Sequence, residues 1–118
     1  ADSAHTGFYE SCALNQIEIV KILYREDPSI IHYTENAQKT SFFHFACRKG
    51  HEEIVQFFYD EDPTILRLHD GAGDTGYHIA CAHGGPEIVK YLLRIDPSLI
   101  HSKNKLGYTG MDLTTTRE

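Results

Sequence analysis

The sequence has no excess of basic residues. Eleven Lys and Arg stand against seventeen Asp and Glu, which gives a net charge of −6 over 118 residues. Modules that bind nucleic acids normally carry a basic excess that neutralises phosphates. The charge balance therefore argues against a nucleic-acid partner, although it is compatible with a local basic patch.

Long apolar runs and abundant cysteines are missing as well. The longest apolar stretches, such as residues 42–47, are far shorter than the roughly 20 residues that span a bilayer, so no membrane association is expected. The chain opens without the basic and apolar segments of a secretory signal, although a mature form would have lost such a signal. Three cysteines, an odd number, fit a reducing compartment better than a disulfide framework. The sequence predicts an intracellular protein, either cytoplasmic or nuclear.

No low-complexity linker divides the chain. Apolar residues make up 41% and charged residues 24% of the sequence, which is ordinary usage for a globular protein. A chain of this length usually forms one domain, because two smaller cores would not offset the chain entropy. We therefore expect residues 1–118 to form a single domain.

A ten-residue pattern occurs three times in this domain. Residues 12–21, 47–56 and 81–90 each begin with Cys and contain Glu-Ile-Val, and the cysteines are spaced by 35 and then 34 residues. An Asp-Pro pair follows each copy with the same two spacings. Self-similarity at a fixed period marks a tandem array. The predicted units are residues 5–35, 36–69 and 70–103, with a partial unit over residues 104–118.

Each unit predicts two short helices. The first helix runs roughly over residues 43–49 in the second unit and over residues 77–83 in the third. Gly50 and Gly84 are expected to end these helices in the left-handed conformation. The second helix starts near residue 52 or 86, and the Asp-Pro pair ends it because the residue before proline disfavours the helical region.

Neither helix of such a unit can bury both of its faces within the unit. The apolar residues of the second helix, such as Ile54, Val55 and Phe58, recur at helical spacing. Stacking on a neighbouring unit would bury them and build one continuous core. The sequence therefore predicts an all-α solenoid.

The units resemble the ankyrin repeat. The Thr-Pro-Leu-His-x-Ala opening of that family is approximated by residues 75–81 and 41–47, and its Gly-His-x-Glu-Ile-Val signature is matched by residues 50–55. The turn pattern Asp-x-x-Gly-x-Thr is matched by residues 70–75 and, with Asn first, by residues 104–109. The resemblance covers nearly the whole chain. It implies stacked helix-turn-helix units with projecting β-turn or hairpin fingers.

Three departures from the family pattern are visible. The period is 34 to 35 residues rather than about 33, and Gly or Phe replaces the family's proline in the first helix of every unit. The first unit carries Tyr9 and Glu10 where later units have His and an apolar residue, which suits a polar outer cap. The fourth unit stops after one helix, so either this half-unit caps the array or the natural protein continues.

Two His-x-x-Cys pairs, His44 with Cys47 and His78 with Cys81, suggest a metal site at first sight. Zinc requires all its ligands within about 2.0–2.3 Å of one point, whereas neighbouring helix axes lie about 8–10 Å apart. The resemblance implies instead that each His bonds the Ser or Thr three residues earlier and the turn backbone. The cysteines are expected to pack as small hydrophobic residues. No metal and no cofactor are predicted.

No catalytic constellation is expected either. The sequence-local candidate is Cys81, which has a histidine on either side, His78 and His83, but the two histidines diverge around the helix. The segment 71–73 lacks the preceding strand and the third glycine of a phosphate-binding loop. The sequence therefore predicts that the protein is not an enzyme.

The ankyrin resemblance implies that a partner binds on the concave face formed by the fingers and the first helices. Arg48 and Lys49 form a cationic spot in an acidic protein, and Leu106 and Tyr108 supply apolar area. Tyr and Arg are enriched among binding hot spots. We name the predicted contacts the candidate strip; its members are Gln38, Thr40, Arg48, Lys49, Ala72, Asp74, His83, Lys105, Leu106 and Tyr108.

The leading functional prediction is a non-enzymatic protein–protein interaction module, expected to be a monomer. A structural or self-associating segment of a larger protein is the alternative, with contacts through the unfinished C-terminal unit. A metal- or redox-responsive switch is a third, less favoured interpretation.

Overall fold

Short helices that are paired along the chain make up the computed structural model, which describes residues 3–32 and 41–116. Contacts join each helix to its equivalent in the next unit, so the pairs are stacked as predicted. The inner helices are α1 (Ser3–Ala13), α3 (Phe42–Lys49), α5 (Gly76–Ile79) and α7 (Gly110–Thr116), and the outer helices are α2 (Ile17–Glu26), α4 (Glu52–Glu61) and α6 (Pro86–Ile95).

The link from an inner to an outer helix uses a left-handed residue in the first two units. Gly50 ends α3 with a φ of 75° and donates its N–H to the carbonyls of the last turn, as predicted. Asn15 holds the equivalent position after α1 with a φ of 58°. Asn is one of the few residues that adopt this conformation readily.

In the third unit the prediction for Gly84 was wrong. Helix α5 continues into a π-helical turn, Ala80–Gly84, and the residue with positive φ is Gly85, at 99°. Pro86 opens α6, and the residue before a proline is kept out of the helical region. The change of direction therefore falls on the second glycine rather than the first.

The outer helices end at the Asp-Pro pairs, as predicted, but the chain then makes a 3₁₀ turn that the pattern did not predict. The aspartates take up non-helical conformations, and Asp62 and Asp96 each accept the backbone N–H two residues later at 3.1 Å. The following proline suits the first position of a helical turn. The turns are Pro28–His32, Pro63–Arg67 and Pro97–His101, and Ile30, Ile65 and Leu99 are the residues that they bury most deeply.

The core lies between the inner and outer helices and runs from unit to unit. The Phe8 ring meets the Phe42 ring edge-on, with 4.8 Å between the ring centres. It also stacks on the Phe58 ring, with 5.9 Å between the centres. Cys12 and Cys47 are buried in this core and Cys81 is half-buried, and all three thiols are free. The cysteines thus pack as predicted.

Two glycines bring the inner helices into close contact. A Cβ atom on Gly76 would lie 2.5 Å from the Phe43 ring and 2.9 Å from the Cys47 sulfur. A Cβ atom on Gly110 would meet the equivalent ring and thiol of the third unit at 2.6 and 2.7 Å. The glycines that replace the family's proline therefore allow a close approach of neighbouring units.

Candidate protein-binding face

The third finger, residues 70–75, is organised by one carboxylate. Asp70 Oδ1 accepts the backbone N–H groups of Ala72 at 2.9 Å and Asp74 at 3.0 Å. The Asp70 N–H donates to the Asp74 carbonyl at 2.9 Å, and His69 pairs with Thr75 in an isolated antiparallel bridge. The Asp-x-x-Gly-x-Thr pattern therefore forms the projecting turn that was predicted.

The fourth finger, residues 104–109, repeats this arrangement with an amide. Asn104 Oδ1 accepts the N–H groups of Leu106 and Tyr108 at 3.0 Å each, and Gly107 takes the left-handed conformation, with a φ of 83°. The Leu106 side chain is 76% exposed and that of Tyr108 is 41% exposed. The turn thus presents two apolar side chains at the surface.

Two hydrogen bonds join the third and fourth fingers. The Lys105 N–H donates to the Ala72 carbonyl at 3.1 Å, and the Asn104 amide donates to Asp74 Oδ1 at 2.8 Å. A Cβ atom on Gly73 would lie 2.7 Å from the Lys105 nitrogen, so the fingers touch backbone to backbone. Asp74 of the candidate strip therefore uses part of its carboxylate within the protein.

His44 connects an inner helix to the finger of the following unit. Its Nδ1 lies 2.8 Å from the Ser41 hydroxyl and accepts the Ser41 N–H at 3.3 Å, while Nε2 lies 2.9 Å from the Asp74 carbonyl. A carbonyl only accepts, so Nε2 carries the hydrogen. Burial lowers the pKa of His44, and the nearby Asp74 carbonyl and acidic groups oppose that shift.

His78 makes the same connection one unit later. Its Nδ1 lies 3.0 Å from the Thr75 hydroxyl, and its Nε2 lies 3.0 Å from the Tyr108 carbonyl. The predicted structural bonding of both histidines is confirmed. Among residues 3–32 and 41–116 there is no group of three or more His, Cys, Asp or Glu side chains that could hold a metal ion.

The cysteine thiols lie in surroundings that favour the protonated form. Burial raises the pKa of Cys12 to about 12, and it also raises the pKa values of Cys47 and Cys81 above their ordinary range. Reactive cysteines need the thiolate at neutral pH. The environment of these three thiols is therefore that of structural cysteines.

The described members of the candidate strip fall on α3, the π-helical turn and the two fingers. Arg48 and Lys49 are exposed in the last turn of α3, and Arg48 makes no ion pair with any residue of the described ranges. Asp74 is half-buried. Gln38 and Thr40 lie outside the described residues. The other exposed members are Ala72, His83, Lys105, Leu106 and Tyr108.

One aromatic neighbour of the strip was missed from the sequence. The Tyr9 ring stacks on Phe45 at 4.5 Å, and the Lys49 Nζ lies 5.8 Å from the centre of the same Phe45 ring. Tyr9 is 50% exposed, so α1 adds an aromatic surface beside the cationic pair. The signal in the sequence is that Tyr9, an aromatic residue, replaces the structural histidine of the later units.

Charges are distributed unevenly between the two sides of the helix pairs. On α3 and the fourth finger, Arg48, Lys49 and Lys105 are exposed, while Asp70 and Asp74 accept hydrogen bonds within the fingers. The outer helices carry an acidic surface. Its exposed acids are Glu18, Glu26, Glu52, Glu53, Asp60, Glu61 and Glu87, against the exposed bases Arg25, Lys90 and Arg94.

Known proteins share this architecture. The family described as ankyrin repeats, in three copies, matches residues 6–105, so the chain belongs to the ankyrin repeat family. Ankyrin repeats are protein-interaction modules and a non-enzymatic type of domain. The all-α repeat fold predicted from the sequence is confirmed.

A similar solved structure is the crystal structure of the yeast ribosomal protein Rps3 in complex with its chaperone Yar1. The match has a TM-score of 0.78 and 18% identity and covers 99% of this chain and 86% of that chain. At this identity the likeness concerns the fold. No curated protein matches the chain, and the described part of the chain contains no helix long and apolar enough to cross a membrane.

Proposed function

We propose that this protein is a non-enzymatic interaction module that binds an acidic segment of a protein partner along the candidate strip. The observation that carries the proposal is the combination of exposed cations on α3 with exposed apolar side chains on the fourth finger. Complementary charge steers a partner and suppresses wrong ones. A few residues supply most of the binding free energy at typical interfaces, and Trp, Tyr and Arg are enriched among them.

The overall acidity of the chain favours binding of an acidic partner at the candidate strip over binding elsewhere on the surface. An acidic segment is repelled by the outer helices, with their exposed carboxylates, and attracted by Arg48, Lys49 and Lys105. Its apolar side chains would contact Leu106, Tyr108 and the Tyr9–Phe45 stack. The partner is therefore expected to combine Asp or Glu with an aromatic or aliphatic residue.

Two further observations support a role in binding rather than catalysis. Both imidazoles of the repeat motif are engaged by hydrogen bonds, and burial keeps the thiols protonated. The similar yeast chaperone occurs in complex with a ribosomal protein, which supports a protein ligand by analogy of fold. A monomeric state and an intracellular, reducing location belong to the same proposal, and the free cysteines agree with it.

The proposal is tested with peptides of about twelve residues displayed on phage. Selection against the parent chain should enrich sequences with acidic and aromatic residues. The double variant Arg48→Glu with Tyr108→Ala should weaken binding of the selected peptides by at least about tenfold. Its thermal unfolding should match the parent, because both side chains are exposed and His78 holds only the Tyr108 backbone carbonyl.

A matched control variant is Lys90→Glu with Ile100→Ala. It makes the same change of charge and a similar apolar truncation on exposed residues outside the strip. Its affinity should stay within about twofold of the parent, since distant surface charges are largely screened. Enrichment of neutral or basic peptides, or equal weakening by both double variants, would contradict the proposal.

A further inference from the structure

A groove lies between the second and third units, where their outer helices end. Its walls come from the last turns of α4 and α6 and from the 3₁₀ turn Pro63–Arg67, and its volume is about 360 Å³. Sites for small ligands have volumes of roughly 300–1,000 Å³, so the groove has room for the end of a peptide. Its lining residues are Tyr59, Pro63, Thr64, Leu66, Arg67, Ile95 and Asp96, and none of them belongs to the candidate strip.

The lining combines apolar surface with polar groups. Leu66 is buried, and Tyr59 and Ile95 are half-buried, so these side chains form the deeper part of the lining. The Arg67 side chain is 64% exposed. A ligand therefore meets apolar side chains in the groove and a guanidinium group at its edge.

The polar lining groups offer more unused donors than unused acceptors. Asp96 Oδ1 accepts the Ser98 N–H at 3.1 Å and the Ser98 hydroxyl at 2.6 Å, while Oδ2 accepts from the Arg67 guanidinium at 2.9 Å. The Thr64 hydroxyl donates to Asp62 at 2.6 Å. A guanidinium carries five N–H groups, so Arg67 keeps donors beyond the one that Asp96 uses.

Tyr59 adds another donor, because an acid found at the preceding junction is replaced here. Tyr24 and Tyr59 each stand three residues before the Asp of an Asp-Pro pair, and Glu61 and Ile95 stand directly before it. Burial raises the pKa of Tyr24, and interaction with the Glu61 carboxylate raises it further. Ile95 offers Tyr59 no acceptor, and within the described residues the Tyr59 hydroxyl makes no hydrogen bond. The groove thus lacks the carboxylate that the junction of the first and second units contains.

We propose that this groove binds the C-terminal end of another protein chain. The terminal carboxylate accepts hydrogen bonds from the Arg67 guanidinium and the Tyr59 hydroxyl. The last side chain of the ligand is aliphatic and packs on Leu66 and Ile95. A carboxylate only accepts hydrogen bonds, which matches the excess of donors, and its charge complements that of Arg67.

The size of the groove favours a chain terminus over an internal acidic residue. A terminal carboxylate and the side chain of the last residue leave from the same Cα atom, so one residue supplies both groups. In an internal segment the carboxylate belongs to Asp or Glu, and a second residue must supply the aliphatic group. The segment must then also continue out of the groove on both sides.

The experiment titrates short peptides into the isotope-labelled full chain and follows its backbone amides by NMR. The probe is acetyl-Gly-Gly-Leu with a free C-terminal carboxylate. Two matched probes are its C-terminal amide and acetyl-Gly-Leu-Glu amide, whose carboxylate is on a side chain. The free acid should shift the amides of residues 64–67, 95 and 96 in a saturable way. Both matched probes should bind at least about tenfold more weakly, because they lack the terminal carboxylate.

Two substitutions test the assigned contacts. Arg67→Gln should weaken binding of the free acid at least about tenfold, and its urea midpoint should stay near that of the parent because the side chain is exposed. Ile95→Glu places an acid where Glu61 stands at the preceding junction, so it should occupy the Tyr59 hydroxyl, repel the ligand and abolish saturable binding. The control is Arg25→Gln, the same change on an exposed arginine of α2 outside the groove. Its affinity should stay within about twofold of the parent.

Four results would overturn the proposal. The first is equal affinity for the free acid and its amide, and the second is tighter binding of the Glu peptide. The third is parent-like binding in Arg67→Gln, and the fourth is the absence of saturable shifts of the groove amides at millimolar peptide. Shifts of residues 48, 49 and 105–108 instead would place the peptide on the candidate strip, which contradicts the groove site and leaves the proposed function intact.

Discussion

His44 is held as a neutral imidazole by the atoms around it. A backbone N–H points at Nδ1 and a backbone carbonyl accepts from Nε2, so the neutral ring satisfies both partners. A protonated ring would direct a second N–H at the Ser41 donor. Burial, the largest cause, accordingly lowers the pKa of His44 below its usual value.

This shift makes stability depend on pH. Because the pKa is lower in the folded state, the contribution of His44 is fully present above the unfolded value of about 6.5 and is lost as the pH falls through the folded value. We expect the urea midpoint to fall between pH 7.5 and 5.0. In the His44→Gln variant the midpoint should depend less steeply on pH.

The matched control for this prediction is His101→Gln, at an exposed position in the last 3₁₀ turn. It should leave the pH dependence as in the parent. A parent-like slope in His44→Gln would show that other groups cause the dependence. Ending the titration at pH 5 keeps most carboxylates, with pKa values of about 4, out of the measured range.

At the scale of the helix, Gly76 decides how closely α5 approaches α3. Gly→Ala inside a helix ordinarily stabilises a protein by about 0.5–1 kcal/mol. Here the new methyl group would lie 2.5 Å from the Phe43 ring, and such overpacking costs about 1–3 kcal/mol. We expect Gly76→Ala to lower the free energy of unfolding, measured by urea denaturation.

A double-mutant cycle with Phe43→Leu tests the cause. The smaller side chain leaves room for the methyl group, so Gly76→Ala should cost less in the Phe43→Leu background than in the parent. Additive losses would mean that the ring is not the obstacle. A stabilising Gly76→Ala would contradict the packing argument itself.

Helix ends show what the sequence could and could not predict. The Asp-Pro pairs located the ends of the outer helices because proline acts on the residue before it through local sterics. The same pairs did not predict the 3₁₀ turns. Asp62 and Asp96 each end one helix and also cap the turn that follows, and the pattern indicates only the helix end. At Gly84-Gly85-Pro86 two glycines could have ended the helix, and Pro86 acts on the residue directly before it, so Gly85 takes the positive φ.

The candidate strip also has a part that the sequence could predict and a part that it could not. The ankyrin resemblance was enough to place Arg48, Lys49 and the finger residues on one predicted face. The stack of Tyr9 on Phe45 required the relative position of two units, which no pattern within one unit contains. The hydrogen bond from Asn104 to Asp74 could not be predicted either, because it joins the fingers of two different units.

At the scale of the whole molecule, stability should vary along the array. Helix α4 lies between two other outer helices, while Ile19 and Ile22 of α2 are exposed. Repeat arrays gain stability from nearest-neighbour interfaces, and regions with fewer such contacts open at lower free energy. Native-state hydrogen exchange should therefore show slower exchange for the amides of α4 than for those of α2.

Exchange measured at increasing urea below the midpoint would make this comparison quantitative. Amides of α2 should keep a lower opening free energy until global unfolding dominates. Identical opening free energies and urea dependences for both helices would indicate a single cooperative unit and contradict the prediction.

The two histidine–finger bonds give the array a direction. His44 donates a hydrogen bond to a carbonyl of the third finger, and His78 donates one to a carbonyl of the fourth finger. Both bonds therefore run from one unit to the next. A helix pair that ended the array without a further finger would leave its imidazole without this acceptor. The smallest segment that contains both ends of such a bond therefore starts at the capping Ser or Thr and includes the following finger.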